Sequence, residues 1–557
     1  MPKVTGGNLA VEVLKRHGVG LIFSLTGIQI TSIYDACIDA GIKIIDARHE
    51  QASGFMADAY ARLTASPAVC LVSAGPAFSN AITPLVVAFR AGSPLVLLSG
   101  SAPLKGRDRM AFQELDQLSL ARPVTKWARQ VTETERIPEY ISWAFKEAIS
   151  GRPGPVYLDL PEDVINRKVE PDRPVTASPL NPFRPAPDPA EISRAVRLLK
   201  QAKRPITLAG SGVWFSQAWK ELERFVELYG IPTFTVNMGR GCLSDDHPLS
   251  LRGAHLAPGG AFLKALKRCD LLIIVGSRFA KGEELNPRTK VIQIDIDPAE
   301  VGRMLPVEVG IAGDAKATLS LLTMELEKKG VSSPPAPSSG GWAGPWARWL
   351  KEILKGEERG YLSKDGPSGR PIHPFHLCLT IDRFLDRDAI VVADGGDTSV
   401  WMRIARRVYG PGLYLDSGPM RCVGLGLPFA LAARLKEPNR QVLLISGDGS
   451  MGFNFMEFNT AIRHKMPVVV VVNNDKGWGM IRHGQEMTYG KGRGVAAQLG
   501  LVRYDEMVKA LGGYGELVTQ EREIEPALKR AFQSGLPACI NVLTDPEVAS
   551  PEVARGG

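Results

Sequence analysis

The sequence of 557 residues has little cysteine, no long apolar run and no strong excess of one charge. Its seven cysteines include no C-x-x-C pair, which argues against a disulfide framework or a zinc cluster and suits a reducing cytoplasm. Roughly 18 consecutive apolar residues are needed to span a bilayer, and no run reaches that length. Residues 1–20 lack the basic, apolar and small-residue order of a secretion signal. We therefore expect a cytoplasmic protein without a membrane partner.

The net charge of +8 is modest for a chain of this length. Nucleic-acid binding usually requires clustered lysine and arginine with interleaved aromatic residues, and the sequence contains no such cluster. We therefore expect no nucleic-acid partner. A mild positive excess is compatible with anionic small ligands, although a solvated basic surface explains it equally well.

Two stretches of biased composition divide the chain into three blocks. The first, from about Glu170 to Pro189, is rich in proline, and the second, from about Gly330 to Gly341, is rich in serine, proline and glycine. The chain length also suits about three domains of ~150–200 residues each. We therefore predict linkers at these two stretches and domains at residues 1–170, 190–330 and 345–550.

All three blocks alternate short apolar runs with amphipathic helical stretches, which is typical of parallel α/β sheets. The clearest apolar runs, which we predict to be buried strands, are Ala68–Ser73, Pro94–Ser99, Leu271–Val275, Val291–Ile296, Ala389–Ala393, Val442–Ile445 and Val468–Val472. The predicted fold is therefore α/β, with three open parallel-sheet domains in series. Ligands of such sheets bind beyond the carboxyl ends of the strands.

The segment 441–485 contains two polar elements that each follow a predicted strand. The run QVLLIS precedes a G-D-G-S turn at residues 447–450, and the run VVVVV precedes Asn474. Neighbouring strands lie ~4.8 Å apart, so Asp448 and Asn474 can direct oxygen atoms at one ion. A carboxylate and an amide carbonyl are hard ligands that suit Mg²⁺ shared with substrate phosphates.

The glycines of the same turn favour a phosphate ligand. Gly447 and Gly449 let the backbone come close to a diphosphate, and a helix that follows them offers free N–H groups. A purely structural turn is the alternative, since an isolated G-D-G is common. The coupling of this turn to the second polar element is rarer, so we interpret the segment as a metal and diphosphate site.

The coupled G-D-G and N-D elements resemble the cofactor signature of thiamine-diphosphate enzymes. The order of the three blocks resembles the acetolactate synthase superfamily over nearly the whole chain. This resemblance implies a pyrimidine-binding, a middle and a diphosphate-binding domain. It also implies that Asp448 and Asn474 are side-chain ligands of Mg²⁺, with the main-chain oxygen of Lys476 as the third. The thiamine diphosphate contacts that it implies are Gly395, Gly396, Thr398, Val423, Gly447, Gly449, Ser450 and Trp478.

Two positions depart from the common pattern of this superfamily. Asp397 stands where the family often has asparagine. A carboxylate beside a diphosphate is unfavourable, so we expect binding there only from backbone groups and Thr398. Val423 matches the aliphatic side chain over which the family bends the cofactor, where Met, Leu or Ile is commoner. A valine of the core is the alternative interpretation.

Residues 48–52, Arg-His-Glu-Gln-Ala, precede an apolar helical stretch. A glutamate that opens a helix is often a surface residue favoured by the helix dipole. The segment also resembles the family's glutamate motif, which implies that Glu50 hydrogen-bonds the aminopyrimidine ring and promotes proton removal from the thiazolium carbon. In the family, one cofactor is bound by two subunits. The resemblance therefore implies at least a homodimer, and we expect a homotetramer.

Substrate selectivity is expected from loops that face the thiazolium ring. Residues 27–31, Gly-Ile-Gln-Ile-Thr, are similar to a loop of oxalyl-CoA decarboxylase and 2-hydroxyacyl-CoA lyase, with Gln29 in place of proline. Benzaldehyde lyase has histidine there. Gln29 cannot act as a general base, but its amide can hydrogen-bond a substrate oxygen or, alternatively, the backbone. Gln113 lies in an A-F-Q-E segment whose glutamine points into the active site of the family. A further set, for which core packing is the alternative, is Trp401, Met420, Trp478, His483 and Gln485.

Several segments favour one branch of the superfamily. Residues 4–14, 46–50 and 122–127 resemble benzaldehyde lyase, and residues 474–478 resemble 2-hydroxyacyl-CoA lyases. We therefore predict a thiamine-diphosphate- and Mg²⁺-dependent carbon–carbon lyase or carboligase. Its small-molecule substrates would be 2-hydroxy ketones or 2-hydroxyacyl-CoA thioesters and aldehydes. In this interpretation Glu50 activates the cofactor, while Gln29 and Gln113 position the reacting oxygen atoms.

Three alternatives stay open. An acetolactate synthase would decarboxylate pyruvate and usually bind FAD in the middle domain, where we find no convincing FAD-binding pattern. An oxalyl-CoA-type decarboxylase shares the Gly-Ile-x-Ile-Thr loop. A non-catalytic regulatory member is disfavoured by the presence of Glu50, Asp448 and Asn474. Gln29 matches none of the reference families, which leaves the substrate open.

Overall fold

The computed structural model describes residues 3–170, 183–255, 259–279, 282–330, 344–362 and 371–553. The two predicted linkers fall mostly outside these residues. Within the described part of the chain, no helix combines the length and the apolar content needed to cross a membrane. The chain forms two compact units, which are described in turn.

The first unit takes in Met1–Phe183, Ser417–Pro438 and Phe453–Pro467. Its strands are β1 (Val4–Thr5), β2 (Leu21–Ser24), β3 (Lys43–Asp46), β4 (Ala68–Val72), β5 (Leu95–Ser101), β6 (Trp127–Gln130), β7 (Val156–Pro161) and β8 (Lys168–Val169). Strands β1 and β8 pair antiparallel. The other six form a parallel sheet in the order β3-β2-β4-β5-β7-β6. Strands β4 and β5 are buried over their whole length, as expected for the centre of a parallel sheet covered on both faces.

The helices of the first unit come from all three of its chain segments. They are Gly6–Arg16, Thr31–Ala40, Glu50–Thr64, Pro76–Asn80, Ile82–Ala91, Gln117–Ala121, Ile137–Ile149, Glu162–Asn166, Gly426–Lys436 and Glu457–Arg463. Aliphatic side chains of β2, β4, β5 and β7 form one hydrophobic core together with the helices Gly6–Arg16, Thr31–Ala40 and Ile137–Ile149.

The helix Glu50–Thr64 is buried along most of its length and packs against Gly426–Lys436. Its start is capped by His49, whose ring accepts a hydrogen bond from the N–H of Gln51. A buried ion pair of 2.6 Å joins Asp58 and Arg62 one turn apart, so neither buried charge is left uncompensated. This enclosure holds the first turn of the helix, where the predicted proton-relay glutamate stands.

The second unit takes in Arg184–Asp416, Asn439–Gly452 and Val468–Gly557. Its first six strands are β9 (Pro205–Ala209), β10 (Thr233–Thr235), β11 (Ser250–Gly253), β12 (Leu271–Val275), β13 (Lys290–Asp295) and β14 (Val309–Ala312). They form a parallel sheet in the order β11-β10-β9-β12-β13-β14. The helices that accompany this sheet are Pro189–Gln201, Ser211–Phe215, Trp219–Tyr229, Ala261–Arg268, Ala315–Lys328 and Pro345–Leu362.

The second unit contains another six-stranded parallel sheet. Its strands are β15 (Ile390–Asp394), β16 (Tyr414–Asp416), β17 (Val442–Gly447), β18 (Val469–Asn474), β19 (Tyr514–Val518) and β20 (Ala538–Leu543). Their order is β16-β15-β17-β18-β20-β19. The accompanying helices are Pro374–Phe384, Asp397–Ala405, Asp448–Met451, Gly479–Tyr489, Tyr504–Ala510 and Ile524–Gln533.

The predicted fold class is confirmed, since the chain contains three parallel six-stranded sheets with accompanying helices. The predicted strand Leu271–Val275 agrees residue for residue, and each of the other predictions differs by one or two residues at one or both ends. For example, β5 continues to Ser101 rather than stopping at Ser99, because Gly100 and Ser101 still pair with β7. The domain limits stay predictions. Two segments of the third predicted block, Ser417–Pro438 and Phe453–Pro467, belong to the first compact unit.

Candidate functional site

The second unit brings the two predicted side-chain ligands to neighbouring strand ends. Strands β17 and β18 pair directly, with Gly447 opposite Asn473. Asp448 is the first residue after β17, and Asn474 is the last residue of β18 rather than the first one after it. Both side chains are buried, with exposed fractions of 1% and 0%. The geometry therefore places a carboxylate and an amide side by side beyond the carboxyl edge of this sheet.

Asp448 is buried without full hydrogen bonding. Among the described residues its Oδ2 atom has no hydrogen-bond partner. Burial, together with the neighbouring carboxyl of Asp475, raises the pKa of Asp448. Burial likewise raises the pKa of Asp475. Two buried carboxyl groups that repel each other as anions are a favourable environment for a divalent cation, which would stabilise both charges. This donor set therefore fits the predicted metal.

Asn474 is oriented by its own neighbours. Its side-chain NH₂ group donates to the carbonyl oxygen of Val502 at 3.2 Å and to Oδ1 of Asn541 at 3.0 Å. Its Oδ1 atom accepts the N–H of Lys476 at 3.1 Å and, as an amide oxygen, keeps a second lone pair. The amide is therefore held with both N–H groups used and with oxygen available for a cation.

The predicted third ligand has a different environment. Lys476 has a left-handed backbone with φ of 61°. Its carbonyl oxygen accepts the N–H groups of Leu499 at 2.9 Å and of Gly500 at 3.2 Å. This oxygen would have to give up one of those hydrogen bonds to reach a metal ion. Its role as a ligand stays a prediction.

The glycines predicted at the diphosphate lie where side chains would not fit. Gly395 has φ of 95°, and a Cβ atom there would lie 3.1 Å from both the backbone nitrogen of Gly447 and Oγ of Ser450. A Cβ atom on Gly449 would lie 2.7 Å from the ring of Trp478. Thus glycine at these positions lets the loop after β17 approach closely the loops after β15 and β18.

Thr398 and Gly396 lie at the start of the helix Asp397–Ala405. The hydroxyl oxygen of Thr398 accepts a hydrogen bond of 2.8 Å from the side chain of Asn473, at the end of β18. Gly396 precedes the first helical residue, and a Cβ atom there would lie 2.8 Å from Met480. The structure therefore brings seven of the eight predicted cofactor residues to the same edge of one sheet.

The carboxylate of Asp397 turns out to have a partner that the sequence did not reveal. Its Oδ2 atom lies 3.0 Å from Nδ1 of His483, and its Oδ1 atom accepts the N–H of Ser550 at 3.2 Å. The second ring nitrogen of His483 lies 2.8 Å from the carbonyl oxygen of Pro546. Burial lowers the pKa of His483, but the hydrogen bonds to Asp397 and Pro546 outweigh it and raise the pKa overall. The ring is therefore favoured as a cation that compensates Asp397.

In the first unit, the predicted proton-relay residue begins the helix Glu50–Thr64. Glu50 is half-buried, and its Oε2 atom accepts a hydrogen bond of 2.9 Å from the side chain of Asn80. Asn80 ends the short helix Pro76–Asn80. The carboxyl group is thus oriented by a neutral amide and leaves its other oxygen available.

The first unit also brings Gln29 and Gln113 together. The side-chain NH₂ group of Gln29 donates to Oε1 of Gln113 at 3.0 Å. The hydroxyl of Ser73 donates to Oε1 of Gln29. Gln113 has a left-handed backbone with φ of 58° and is half-buried, whereas Gln29 is only 1% exposed. The sequence predicted both glutamines, but it did not single out Ser73, although its place directly after β4 was a usable signal.

Val423 lies in the first unit, in the loop before the helix Gly426–Lys436. It is half-buried, so it is not one of the enclosed core valines. The next residue, Gly424, has φ of 84°, and a Cβ atom there would lie 2.4 Å from Phe453. This tight turn holds Val423 in the loop. Its contact with a cofactor stays a prediction.

Two residues near the predicted metal ligands were missed by sequence reasoning. Asp475 follows Asn474 directly and was visible in the sequence as part of N-N-D. Tyr504 donates its hydroxyl to the carbonyl oxygen of Asp448 at 2.7 Å. It lies 56 residues further along the chain, so no local pattern could have indicated this contact.

Comparison with known proteins gives matches along most of the chain. Residues 4–120 match the thiamine pyrophosphate enzyme N-terminal TPP binding domain. Residues 192–322 match the central domain of thiamine pyrophosphate enzymes, and residues 394–542 match their C-terminal TPP binding domain.

Relatives that cover nearly the full chain carry two kinds of name. The acetolactate synthase large subunit IlvG of Mycobacterium tuberculosis is 37% identical, over 98% of this chain and 96% of its own length. The 2-hydroxyacyl-CoA lyase 2 of Caenorhabditis elegans is 33% identical, over 97% of this chain and 89% of its own. The 2-hydroxyacyl-CoA lyase of Arabidopsis thaliana is 32% identical, over 98% and 96%. With these matches and the paired strand-end loops, the chain belongs to the thiamine pyrophosphate enzyme family that includes acetolactate synthases and 2-hydroxyacyl-CoA lyases.

Proposed function

We propose that the protein is a thiamine-diphosphate- and Mg²⁺-dependent carbon–carbon lyase or carboligase. Its substrates would be 2-hydroxy ketones or 2-hydroxyacyl-CoA thioesters and aldehydes, which it cleaves or joins. The observation that carries this choice is the pair Gln29 and Gln113, whose amides hydrogen-bond each other, while Gln29 also accepts a hydrogen bond from Ser73. Neutral amides suit the carbonyl and hydroxyl oxygens of such substrates. Full-length relatives named 2-hydroxyacyl-CoA lyase support the same choice.

In this proposal the second unit anchors the cofactor. Asp448 and Asn474 would hold Mg²⁺, which in turn binds the diphosphate, and the backbone of Gly395, Gly447 and Gly449 would line it. Ser450, Thr398 and Trp478 stand beside these glycines and would complete the contacts. The helix that begins at Asp397 adds free N–H groups near its first turn.

The first unit would supply the proton and the substrate contacts. Bound thiamine diphosphate supplies a nucleophilic carbon that adds to a carbonyl group. Glu50, held by Asn80, would bind the pyrimidine ring and hold the proton that its activation requires. Val423 would support the bent form of the cofactor, and Gln113 would orient the substrate oxygen.

We also place the protein in the cytoplasm, which its seven free cysteines support.

The experiment that tests the reaction is an assay panel with added thiamine diphosphate and Mg²⁺. The panel contains benzoin, a 2-hydroxyacyl-CoA, formyl-CoA with an aldehyde, oxalyl-CoA and pyruvate. Aldehyde released from benzoin or from the 2-hydroxyacyl-CoA supports the proposal. Activity on pyruvate alone would refute it in favour of an acetolactate synthase, the function that the 37% identical mycobacterial relative favours. Carbon dioxide released only from oxalyl-CoA would indicate a decarboxylase.

We further propose at least a homodimer, and a homotetramer as the complete assembly, with each cofactor bound by two chains. Light scattering coupled to size exclusion measures the assembly. Mixing inactive Glu50→Gln and Asp448→Asn chains, with exchange of subunits, tests the shared site. Random dimers of the two variants contain one intact site in half of the molecules, so activity should recover to about a quarter of wild type. A monomer, or a mixture that stays inactive after proven exchange, contradicts this part of the proposal.

A further inference from the structure

Ser73, Gln29 and Gln113 form a directed chain of hydrogen bonds, which we call the amide chain. The Ser73 hydroxyl donates to Oε1 of Gln29, and the NH₂ group of Gln29 donates to Oε1 of Gln113. Ser73 is 6% exposed and Gln29 is 1% exposed, whereas Gln113 at the end of the chain is half-buried. The chain therefore runs from the interior of the first unit to a side chain that solvent or a ligand can reach.

Each member of the amide chain packs against a glycine that leaves no room for a Cβ atom. A Cβ atom on Gly27 would lie 2.3 Å from the side chain of Ser73. One on Gly100 would lie 2.7 Å from Cβ of Gln29. Three separate loops or strands thus supply space for three polar side chains, with Gly75 as the third. This spacing indicates a built arrangement rather than a chance contact.

Gly75 connects Gln113, at the exposed end of the amide chain, to buried residues of the sheet. It has φ of 58°, and a Cβ atom there would lie 3.0 Å from Gln113. Its N–H donates to the side chain of Gln117 at 2.7 Å. The NH₂ group of Gln117 donates to the carbonyl oxygen of Gly100 at 3.1 Å and to the hydroxyl of Tyr157 at 2.8 Å. The loop that carries Gln113 is therefore fixed from two sides.

The donor-to-acceptor direction of the amide chain is determined by Ser73, the residue at its buried end. Within the described part of the chain, Gln29 is the hydrogen-bond partner of the Ser73 hydroxyl oxygen. If both amides were turned over, the serine would accept from Gln29 and its own O–H would have no acceptor. A buried donor without a partner costs more than an acceptor with a free lone pair. The direction Ser73 to Gln29 to Gln113 is therefore favoured, and it uses the oxygen of Gln113.

We propose that Ser73 and Gln29 are positioning residues that hold the amide of Gln113 with its NH₂ group toward the substrate. The site would then recognise an oxygen that accepts a hydrogen bond, such as the carbonyl oxygen of the acyl donor. Gln29 acts through Gln113 and does not itself contact the substrate. The proposal rests on the proposed function only in placing Gln113 at the substrate.

A pair of neutral compounds with one carbon frame tests the direction without turnover. Acetophenone has a carbonyl that only accepts a hydrogen bond, and 1-phenylethanol has a hydroxyl that also donates. Their dissociation constants are measured by calorimetry on the wild-type enzyme loaded with thiamine diphosphate and Mg²⁺. The ratio of the two dissociation constants, ketone to alcohol, is then compared with the ratio in the Gln29→Glu variant. An ionised glutamate only accepts, so it would turn Gln113 over and present its oxygen to the ligand.

The expected result is a ratio that shifts toward the alcohol by about fivefold in Gln29→Glu, the value of one hydrogen bond. The shift should appear as pH rises and the new carboxyl ionises, because its protonated form can still donate to Gln113. A structural defect would not follow pH in this way. An unchanged ratio across pH, or no binding of either compound to the wild type, overturns the proposal.

A serine series keeps the test independent of how well the Gln29 variant folds. Ser73→Ala removes the donor, and Ser73→Cys keeps a weak one, so the ketone preference should fall in the order Ser, Cys, Ala. Ser24→Ala is the matched control, since Ser24 is a buried serine of the neighbouring strand β2 whose hydroxyl bonds the backbone of Leu71. An equal ratio of the two dissociation constants in all three Ser73 forms would contradict the proposal. If the ratios follow the series while no donor of the assay panel is turned over, only the proposed reaction fails.

Discussion

Counted within each sheet, the strands β2–β7 and the strands β15–β20 follow one order, 2-1-3-4-6-5. The middle sheet has the order 3-2-1-4-5-6, and the predicted site residues lie outside it. In the first sheet the segments after strands one, three and four carry Gln29, Ser73 and Gln113. In the last sheet, Thr398 and Asp448 follow strands one and three, and Asn474 ends strand four. Two sheets of one design therefore present different side chains at equivalent places.

The difference lies in how each set of side chains is satisfied. The neutral groups of the first sheet satisfy one another, as the bond of 3.0 Å between Gln29 and Gln113 shows. In the last sheet, Asp448 is buried next to the carboxyl of Asp475, and one of its oxygens has no partner among the residues that the structure describes. A buried anion costs far more than a buried amide unless an opposite charge is present. The residues of the first site are therefore stable as neutral groups, whereas a cation would stabilise the buried carboxyl group of Asp448 in the last one.

The comparison predicts that the proposed catalytic glutamate acts in the reaction, whereas the proposed groups of the second unit act in cofactor binding. Glu50→Gln keeps the size and the hydrogen bond to Asn80 but removes the acid, so we expect kcat to fall by about 10²–10⁴-fold. Affinity for thiamine diphosphate should change little, because most of the proposed anchoring groups are in the second unit. Steady-state kinetics and a fluorescence titration with the cofactor measure the two quantities. The exposed Glu139→Gln is the control, and equal loss of binding and kcat would contradict the separation.

Asp448→Asn should show the opposite pattern. Loss of the carboxylate removes a proposed metal ligand, so activity at limiting Mg²⁺ should fall by about 10²–10³-fold, mainly through weaker cofactor binding. The same change removes a repelling buried acid, so the protein without cofactor should melt at a higher temperature than wild type. Thermal melts with and without Mg²⁺ and thiamine diphosphate measure both effects. A variant that melts lower without ligand would show that Asp448 is not under charge repulsion.

Glu457 shows that the first unit also contains a buried acid, but one with partners. Its carboxylate accepts the N–H of Arg48 at 3.0 Å and the hydroxyl of Thr460 at 2.6 Å. Burial nevertheless raises the pKa of Glu457 to about 7. Since the folded pKa lies above the ordinary value of 4.5, its contribution to stability is full below about 4.5 and is lost as pH rises to about 7.

Glu457→Gln should therefore flatten the fall in unfolding free energy between pH 5 and 7, by about 1–3 kcal/mol. Denaturant unfolding of the protein without cofactor at several pH values measures it, with fluorescence following the first transition. Glu12→Gln, at an exposed glutamate, serves as the control. A profile that matches wild type would show that Glu457 is ionised in the folded protein at pH 5.

His483 gives the smallest expected effect. His483→Gln leaves Asp397 without its compensating cation, so affinity for thiamine diphosphate should fall by about three- to tenfold. Replacing Asp397 with asparagine in the same chain should restore most of that loss, because the repelling charge is gone. Cofactor titrations of the four proteins form a double-mutant cycle. Additive effects of the two substitutions would show that the pair does not act as a unit.

Much of the site could be predicted because it sits at strand ends. Asp448 directly follows β17 and Asn474 ends β18, so alternating strands and helices were enough to bring them together. Partners from distant segments could not be predicted in this way. His483 reaches Asp397 across 86 positions, and Tyr504 reaches Asp448 across 56. Such contacts depend on how loops close over the sheet, for which the chain carries no periodic signal.

The sequence by itself determined the class of fold, because strand periodicity follows from local chain chemistry. The cofactor family was implied by the resemblance of the coupled G-D-G and N-D elements to a known signature. The sequence also indicated most of the polar residues near the ends of both sheets, although not Ser73, Asp475 or Tyr504. Only the tertiary structure decided which of them are satisfied by neighbours and which are not. Gln29 has hydrogen-bond partners in Ser73 and Gln113, while among the described residues Asp448 retains an unpartnered oxygen. Hydrogen bonding and burial are properties of the packed loops, so they appear only when distant segments meet.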